Sequence, residues 1–177
     1  DRRRGPRAPH AGAPGRSAPP ALASLDPCGC YRVTGAGVVE LKHLAALTSL
    51  DLRCCWKVSG ARVRAELKHL TALTSLSLFC DEVAEAEVEE LKHLTALTYL
   101  GISLEGDITT DADLEELQHL TGLTSLNLRD CYKVTDDGVA ELRHLTGLSS
   151  LNLSECEKVT DDGVAELKHL TALTYLG

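Results

Sequence analysis

Methionine is absent from the 177 residues, and one phenylalanine, one tryptophan and four tyrosines bring aromatic content to only 3%. A core for this length must therefore be assembled from Leu, Val and Ala. No apolar run reaches the roughly 18 residues that a membrane-crossing helix requires, so none is expected and no membrane partner is anticipated. Five of the six prolines fall within residues 1–20, and Pro19 and Pro20 break the one short apolar stretch there, so no secretory signal is read. A glycine-rich phosphate loop, an HExxH zinc motif and a Ser or Cys nucleophile with a distinct base are all missing. The expectation is a non-enzyme with no catalytic, cofactor-binding or metal site.

Charge is short of one sign in each part of the chain. Residues 1–20 carry five arginines against Asp1, a net of +4, and the total of −8 leaves −12 for residues 21–177. The leader, rich in Pro, Gly, Ala and Arg, reads as a disordered basic linker. An acidic body repels nucleic-acid phosphates, so nucleic acid is not an expected ligand of residues 21–177. The missing methionine, and an end inside a strand-like segment, suggest a piece of a longer chain that is truncated at its C-terminal side.

What the body does contain is repetition. The pattern LxHLTGLxSLNLxxCxKVTDDGVAEL occurs twice in succession, ending at Leu142 and at Leu167, with looser copies back to about residue 22. The leading strand leucines fall at Leu50, Leu76, Leu100, Leu126, Leu151 and Leu176. A period near 25 over about six units describes a solenoid in which each unit buries its apolar face against its neighbours. In residues 145–170, Leu151-Asn152-Leu153 has the alternation of a short strand. Thr160, Asp161 and Asp162 suit the start of a helix, and Val164, Leu167 and Leu170 make one helical face of about two turns. The inward set of one unit is Val139, Leu142, Leu145, Leu148, Leu151 and Leu153. At roughly 1.5–3 kcal/mol per buried side chain, this set does not outweigh the entropy of ordering one unit, so stacking must supply the stability.

The segments Leu47-Thr-Ser-Leu50-Asp-Leu52-Arg-Cys-Cys55, Leu123 to Cys131 and Leu148 to Cys156 follow LxxLxLxxN/C. The body thereby resembles the leucine-rich repeat family over residues 21–177. The Cys followed by Lys-Val-Thr-Asp-Asp-Gly-Val is similar to the cysteine-containing subtype, found in F-box proteins and in bacterial and algal repeat expansions. The resemblance implies an α/β solenoid: a curved horseshoe with short parallel strands on the concave face and short helices on the convex face. It implies a monomeric scaffold that binds a protein partner through its strand face, or, as an alternative, the substrate-recognition region of an F-box-type ubiquitin-ligase adapter.

Three ladders accompany the leucines. Cys30, Cys55, Cys131 and Cys156 share one repeat position, which the resemblance makes an inward thiol bonded to loop backbone. Unpaired cysteines of this kind suit a reducing compartment, cytoplasmic or nuclear. Cys28, Cys30, Cys54 and Cys55 fall side by side in adjacent units, and pairing or zinc binding among them stays open. His43, His69, His93, His119, His144 and His169 form a second row, read as helix-end residues, in which protonation would accumulate like charge. Tyr31, Trp56 and Tyr132 follow ladder cysteines and suit either a loop rim or a contact patch. Among outward strand positions the large groups are Arg53, Phe79, Tyr99 and Arg129. With Trp56 and Tyr132 they are the candidate partner-binding residues.

Overall fold

The computed structural model of the protein describes residues 21–26, 32, 34–53, 55, 66–79, 89–103 and 109–177. The basic leader at residues 1–20 lies outside the described residues. Each strand leucine sits within a short strand: β1 (Ser24–Leu25), β2 (Ser49–Asp51), β3 (Ser75–Phe79), β4 (Tyr99–Ser103), β5 (Ser125–Asn127), β6 (Ser150–Asn152) and β7 (Tyr175–Leu176). They form one sheet in the order of the sequence, and every pairing is parallel. Leu25, Leu50, Leu76, Leu100, Leu126, Leu151 and Leu176 stand opposite one another along it. The repeat therefore begins one strand before Leu50. Its pattern in the sequence is weak because Pro27 replaces the second strand leucine.

Between strands run short helices, α1 (Gly35–Val39), α2 (Asp111–Glu116), α3 (Asp136–Glu141) and α4 (Asp161–Glu166). Each passes directly into a 3-10 turn, which for the last three is Leu117–His119, Leu142–His144 and Leu167–His169. The single helix expected over 161–170 is thus an α-helix that tightens after Glu166. Leucine spacing explains the change. A 3-10 turn has three residues per turn, so Leu167 and Leu170 stand in line and both are buried. The whole inward set from Val139 to Leu153 is below 10% exposed.

Polar groups repeat the same neighbour-to-neighbour logic. The hydroxyl before each strand from β2 to β7 donates to the backbone carbonyl at the equivalent place one unit earlier. Thr48 donates to Ala23 O, Thr74 to Thr48 O, Thr98 to Thr74 O, Thr124 to Thr98 O, Ser149 to Thr124 O and Thr174 to Ser149 O, at 2.9–3.1 Å. A second ladder ties the helices. The Asp136 carboxylate of α3 accepts from Thr160 N at 2.7 Å and from Thr160 Oγ1 at 2.6 Å, just ahead of α4. Asp111 of α2 holds Thr135 in the same way at 2.8 and 2.7 Å. Each threonine hydroxyl also accepts an N–H of its own helix, Thr135 from Asp137 and Thr160 from Asp162. The first Asp of each pair therefore caps the next unit's helix, while the threonine caps its own.

That carboxylate explains the glycine of Asp-Asp-Gly. A Cβ on Gly138 would collide with Asp111 Oδ1, and one on Gly163 with Asp136 Oδ1. The unit of α2 departs from this pattern. Its predecessor reads Ala84-Glu85-Ala86-Glu87, and in the glycine position it carries Asp113, whose own carboxylate accepts from Thr110 N and Oγ1 at 2.8 and 2.9 Å.

All six body histidines are exposed, and five of them close a 3-10 turn. His43 Nε2 lies 4.0 Å from Glu40 and His169 Nε2 3.9 Å from Glu166.

Two outcomes test the helix ladder. Alanine is favoured over glycine in a helix by about 1 kcal/mol. Gly138→Ala should nevertheless destabilise the chain by about 1.5–3 kcal/mol by displacing the Asp111 carboxylate from its bonds, whereas Gly37→Ala in α1 should not, as judged by urea denaturation. Hydrogen bonds from the side chain and backbone of Thr160 hold the Asp136 carboxyl below its ordinary value of 3.8. A depressed folded value means the stabilisation is complete above 3.8 and is lost as pH falls below it. The difference in melting temperature between native chain and Asp136→Asn should accordingly close on acidification through that range.

Candidate binding face on the strand side

Residues at i and i+2 of a strand share a face. The outward positions are thus Ser49, Asp51 and Arg53, then Ser75 and Ser77, then Tyr99 and Gly101, then Ser125, Asn127 and Arg129, then Ser150, Asn152 and Ser154. Not all of them are free to meet a partner. Asp51 Oδ1 accepts the backbone N–H of Arg53 at 3.0 Å, Asn127 Oδ1 that of Arg129 at 3.0 Å, and Asn152 Oδ1 that of Ser154 at 2.9 Å. This row closes the strand ends by local side-chain turns.

Arg53, expected as an anchor, is half of an ion pair. Its Nε bonds to both oxygens of Asp51 at 3.0 and 2.9 Å, and Nη2 to Oδ2 at 2.6 Å. Burial pushes the Asp51 carboxyl up, but hydrogen bonds from the side chain and backbone of Arg53, together with its charge, outweigh this and hold the carboxyl below its ordinary value. The Asp-Leu-Arg spelling at 51–53 carried this pairing, since both side chains leave the same face of the strand. Arg129 has Asn127 in the equivalent place, and its Nε instead lies 3.4 Å from Asp130 Oδ2, with the side chain 56% exposed.

Tyr99 is half-buried, with its ring lying across the next outward position. Its hydroxyl would be 3.0 Å and its Cε1 3.4 Å from a Cβ on Gly101, and Ser77 Oγ lies 3.5 Å from the same point. The ring rests on bare backbone that a side chain would occupy. Tyr175 repeats this over Gly177, where the hydroxyl would be 2.8 Å from a Cβ. The recurring Tyr-Leu-Gly at 99–101 and 175–177 was the sequence signal for this arrangement. Phe79 takes an outward place at the end of β3, but its side chain lies outside the described residues, as do Trp56 and Tyr31.

Tyr132 stands apart from the strand face, on the loop after Cys131. It is 37% exposed, and its hydroxyl donates to Asp130 Oδ1 at 3.4 Å. Asp130 foremost, with Glu155 and Glu157 of the next unit, pushes the phenol up, so the loop rim is anionic. Asp130 and Glu155 occupy one repeat position, both at φ 64°. That left-handed conformation turns the chain from strand to loop.

The ladder thiols face inward. Cys55, Cys131 and Cys156 are buried, and Cys131 and Cys156 are in no disulfide. Cys131 Sγ donates to Ile102 O at 3.8 Å and Cys156 Sγ to Leu128 O at 3.1 Å, each a carbonyl at the strand end of the unit before. Burial pushes the Cys131 thiol up to about 12 and raises Cys156 as well. Thiols so held are structural donors and poor nucleophiles. The four-sulfur arrangement lies mostly outside the described residues, at Cys28, Cys30 and Cys54. Among the described residues no three His, Cys, Asp or Glu side chains group as a metal site, and no helix is long and apolar enough to cross a membrane.

Solved structures share this architecture. Internalin C2 from Listeria monocytogenes matches at 21% identity and a TM-score of 0.51, over 78% of this chain and 64% of that one. A leucine-rich repeat protein from Leptospira interrogans matches at 17% identity and a TM-score of 0.53, over 77% of this chain and 38% of that one. This chain thus spans less than two thirds of either protein. No family model matches the sequence, and no curated protein does. The fold is a leucine-rich repeat solenoid.

The thiol geometry predicts a labelling pattern. In the native chain, Cys131 and Cys156 should resist iodoacetamide at neutral pH and react once urea unfolds the stack, as read by peptide mass. Native-state labelling of Cys131 at the rate of an exposed thiol would contradict the inward placement.

Proposed function

We propose that the chain binds a protein partner through the outward face of its parallel sheet. Leucine-rich repeat solenoids serve in general as interaction scaffolds, because parallel strands in fixed register hold outward side chains in a rigid array. The observation that carries the reading here is Tyr99 laid on Gly101 beside the buried Ser77. The ring is already positioned, so a partner covering it gains contact area at little entropic cost. Around it Ser49, Ser75, Ser125 and Ser150 leave the face nearly flat, and Arg129 supplies a cation at its edge. Arg53 contributes as the Asp51–Arg53 pair, which offers hydrogen-bonding edges with no net charge.

The buried thiols of Cys131 and Cys156 support a reducing compartment, cytoplasmic or nuclear, as the working environment. The ubiquitin-ligase adapter reading rests on the sequence resemblance alone. The strand face supports the broader scaffold reading.

Partner capture on the immobilised chain tests the face. A protein retained by the native chain should be lost with Tyr99→Ala or Arg129→Glu, each weakening binding about tenfold or more, and kept by Glu115→Lys on the exposed side of α2. Melting temperatures of all three variants should stay close to native. Loss with Glu115→Lys but not with Tyr99→Ala would move the contact to the helical side.

A further inference from the structure

The middle of the sheet treats its second outward position differently from the strands on either side. In β2, β5 and β6 that position is Asp51, Asn127 or Asn152, whose side chain accepts the N–H two residues on and ends the strand. Those strands have three residues, whereas β3 and β4 have five, and the ladder between them runs on through Leu78–Ile102 and Phe79–Ser103. No side chain is needed there to close the strand. Ser77 and Gly101 fill the position instead, opposite each other in register.

Ser77 is 5% exposed, and its hydroxyl has no hydrogen-bonded partner among the described residues. A buried hydroxyl is costly to leave unpaired. Its Oγ lies 3.5 Å from the point where Gly101 would carry a Cβ, and the Tyr99 hydroxyl, equally without a partner among the described residues, lies 3.0 Å from the same point. Two donors thus converge over bare backbone. Tyr175 over Gly177 has no such pair, because the oxygen beside it is Asn152 Oδ1, already accepting from Ser154 N. The Tyr99 hydroxyl makes no bond that holds its ring down, so a small tilt uncovers Ser77 without breaking one.

We propose that Ser77 and Tyr99 form a seat for an amide carbonyl of the partner, an inference that rests on the strand-face reading. Both hydroxyls donate to the incoming oxygen, and Gly101 leaves room for it. Asp51 stands in register with Ser77, and its charge is matched by Arg53. The seat therefore has no net positive charge with which to hold a carboxylate or phosphate, and it suits a neutral oxygen. Main-chain carbonyls and Asn or Gln side chains share that chemistry.

The free chain gives the first test. Removing an unpaired buried hydroxyl relieves a cost, so Ser77→Ala should raise the urea midpoint, while Ser75→Ala, half-buried on the same strand, should leave it near native. An unchanged or lower midpoint for Ser77→Ala overturns the proposal, since the hydroxyl is then satisfied within the folded chain or by bound water.

The second test is binding of a capped decapeptide of alternating Gly and Gln to the immobilised chain. Ser77→Ala and Tyr99→Phe, which keeps the ring, should each weaken it about fivefold or more. A Gly and Ser decapeptide should bind equally if the oxygen is main-chain and more weakly if it is a side-chain amide, and either result fits the seat. Tighter binding of a Gly and Glu decapeptide overturns the neutral chemistry. Absence of binding by all three, or binding unchanged in Ser77→Ala and Tyr99→Phe, overturns the seat. Loss with Tyr99→Ala but not with Tyr99→Phe sinks the seat and leaves the strand face standing on the ring alone, whereas partner capture unchanged by Tyr99→Ala sinks the strand-face reading as well.

Discussion

A unit of about 25 residues places its leucines on one side of a short strand and one side of a helix of five or six residues, and only another unit offers a surface of matching shape. This requirement to stack governs the rest of the molecule. It fixes the parallel order of the strands, because each new strand can only be laid beside the last. It sets the 3-10 turn, whose period of three aligns Leu142 with Leu145 and Leu167 with Leu170 toward the same interface. It also decides where hydrogen bonds go. The threonine hydroxyls, the thiols of Cys131 and Cys156 and the carboxylates of Asp111 and Asp136 all reach into the adjoining unit.

The aspartate ladder shows how closely such a chain is coupled across units. A carboxylate seated on the next helix serves a threonine and requires a glycine, so three residues in two units form one device. Altering one part leaves the others strained or unsatisfied, and that is how the unit of α2 differs. With no Asp-Asp-Gly before it, it carries Asp113 where glycine would otherwise stand. The carboxylate is thus supplied from within, and the threonine keeps both of its bonds. Two spellings of the helix start satisfy the same backbone need.

Most of the fold was legible because the leucine period is long, regular and almost free of interruption. The inward residues from Val139 to Leu153 could be named from spacing alone. The first strand was reached only through the looser copies back to about residue 22 and the place of Cys30, since Pro27 breaks its Leu-x-Leu pattern. The helix at 161–170 was read as uniform because Val164, Leu167 and Leu170 fit an α-helical face about as well as a 3-10 one over so short a span. The aspartates were recognised as helix-start residues, but their partner one unit on lies 24 residues away, and no local rule connects Asp136 with Thr160. On the strand face, Arg53 appeared as a lone cation although Asp51 two positions earlier already implied a pair. Trp56, Cys28, Cys30 and Cys54 fall outside the described residues.

The outward face divides into two kinds of position, and this bears on what it can recognise. Asp51, Asn127 and Asn152 accept backbone N–H groups of their own turns, so their side chains are spent on ending strands. Replacing one for the sake of affinity would loosen the rim that holds its neighbour in place. The positions before them, Ser49, Ser75, Tyr99, Ser125 and Ser150, carry no such duty and vary only in size. Recognition can therefore change along this row without cost to the stack, and in this chain the row holds Tyr99 near its centre and Tyr175 at its end. A partner that fits would lie across the strands over Tyr99, with Arg129 to one side and the neutralised Asp51–Arg53 pair to the other.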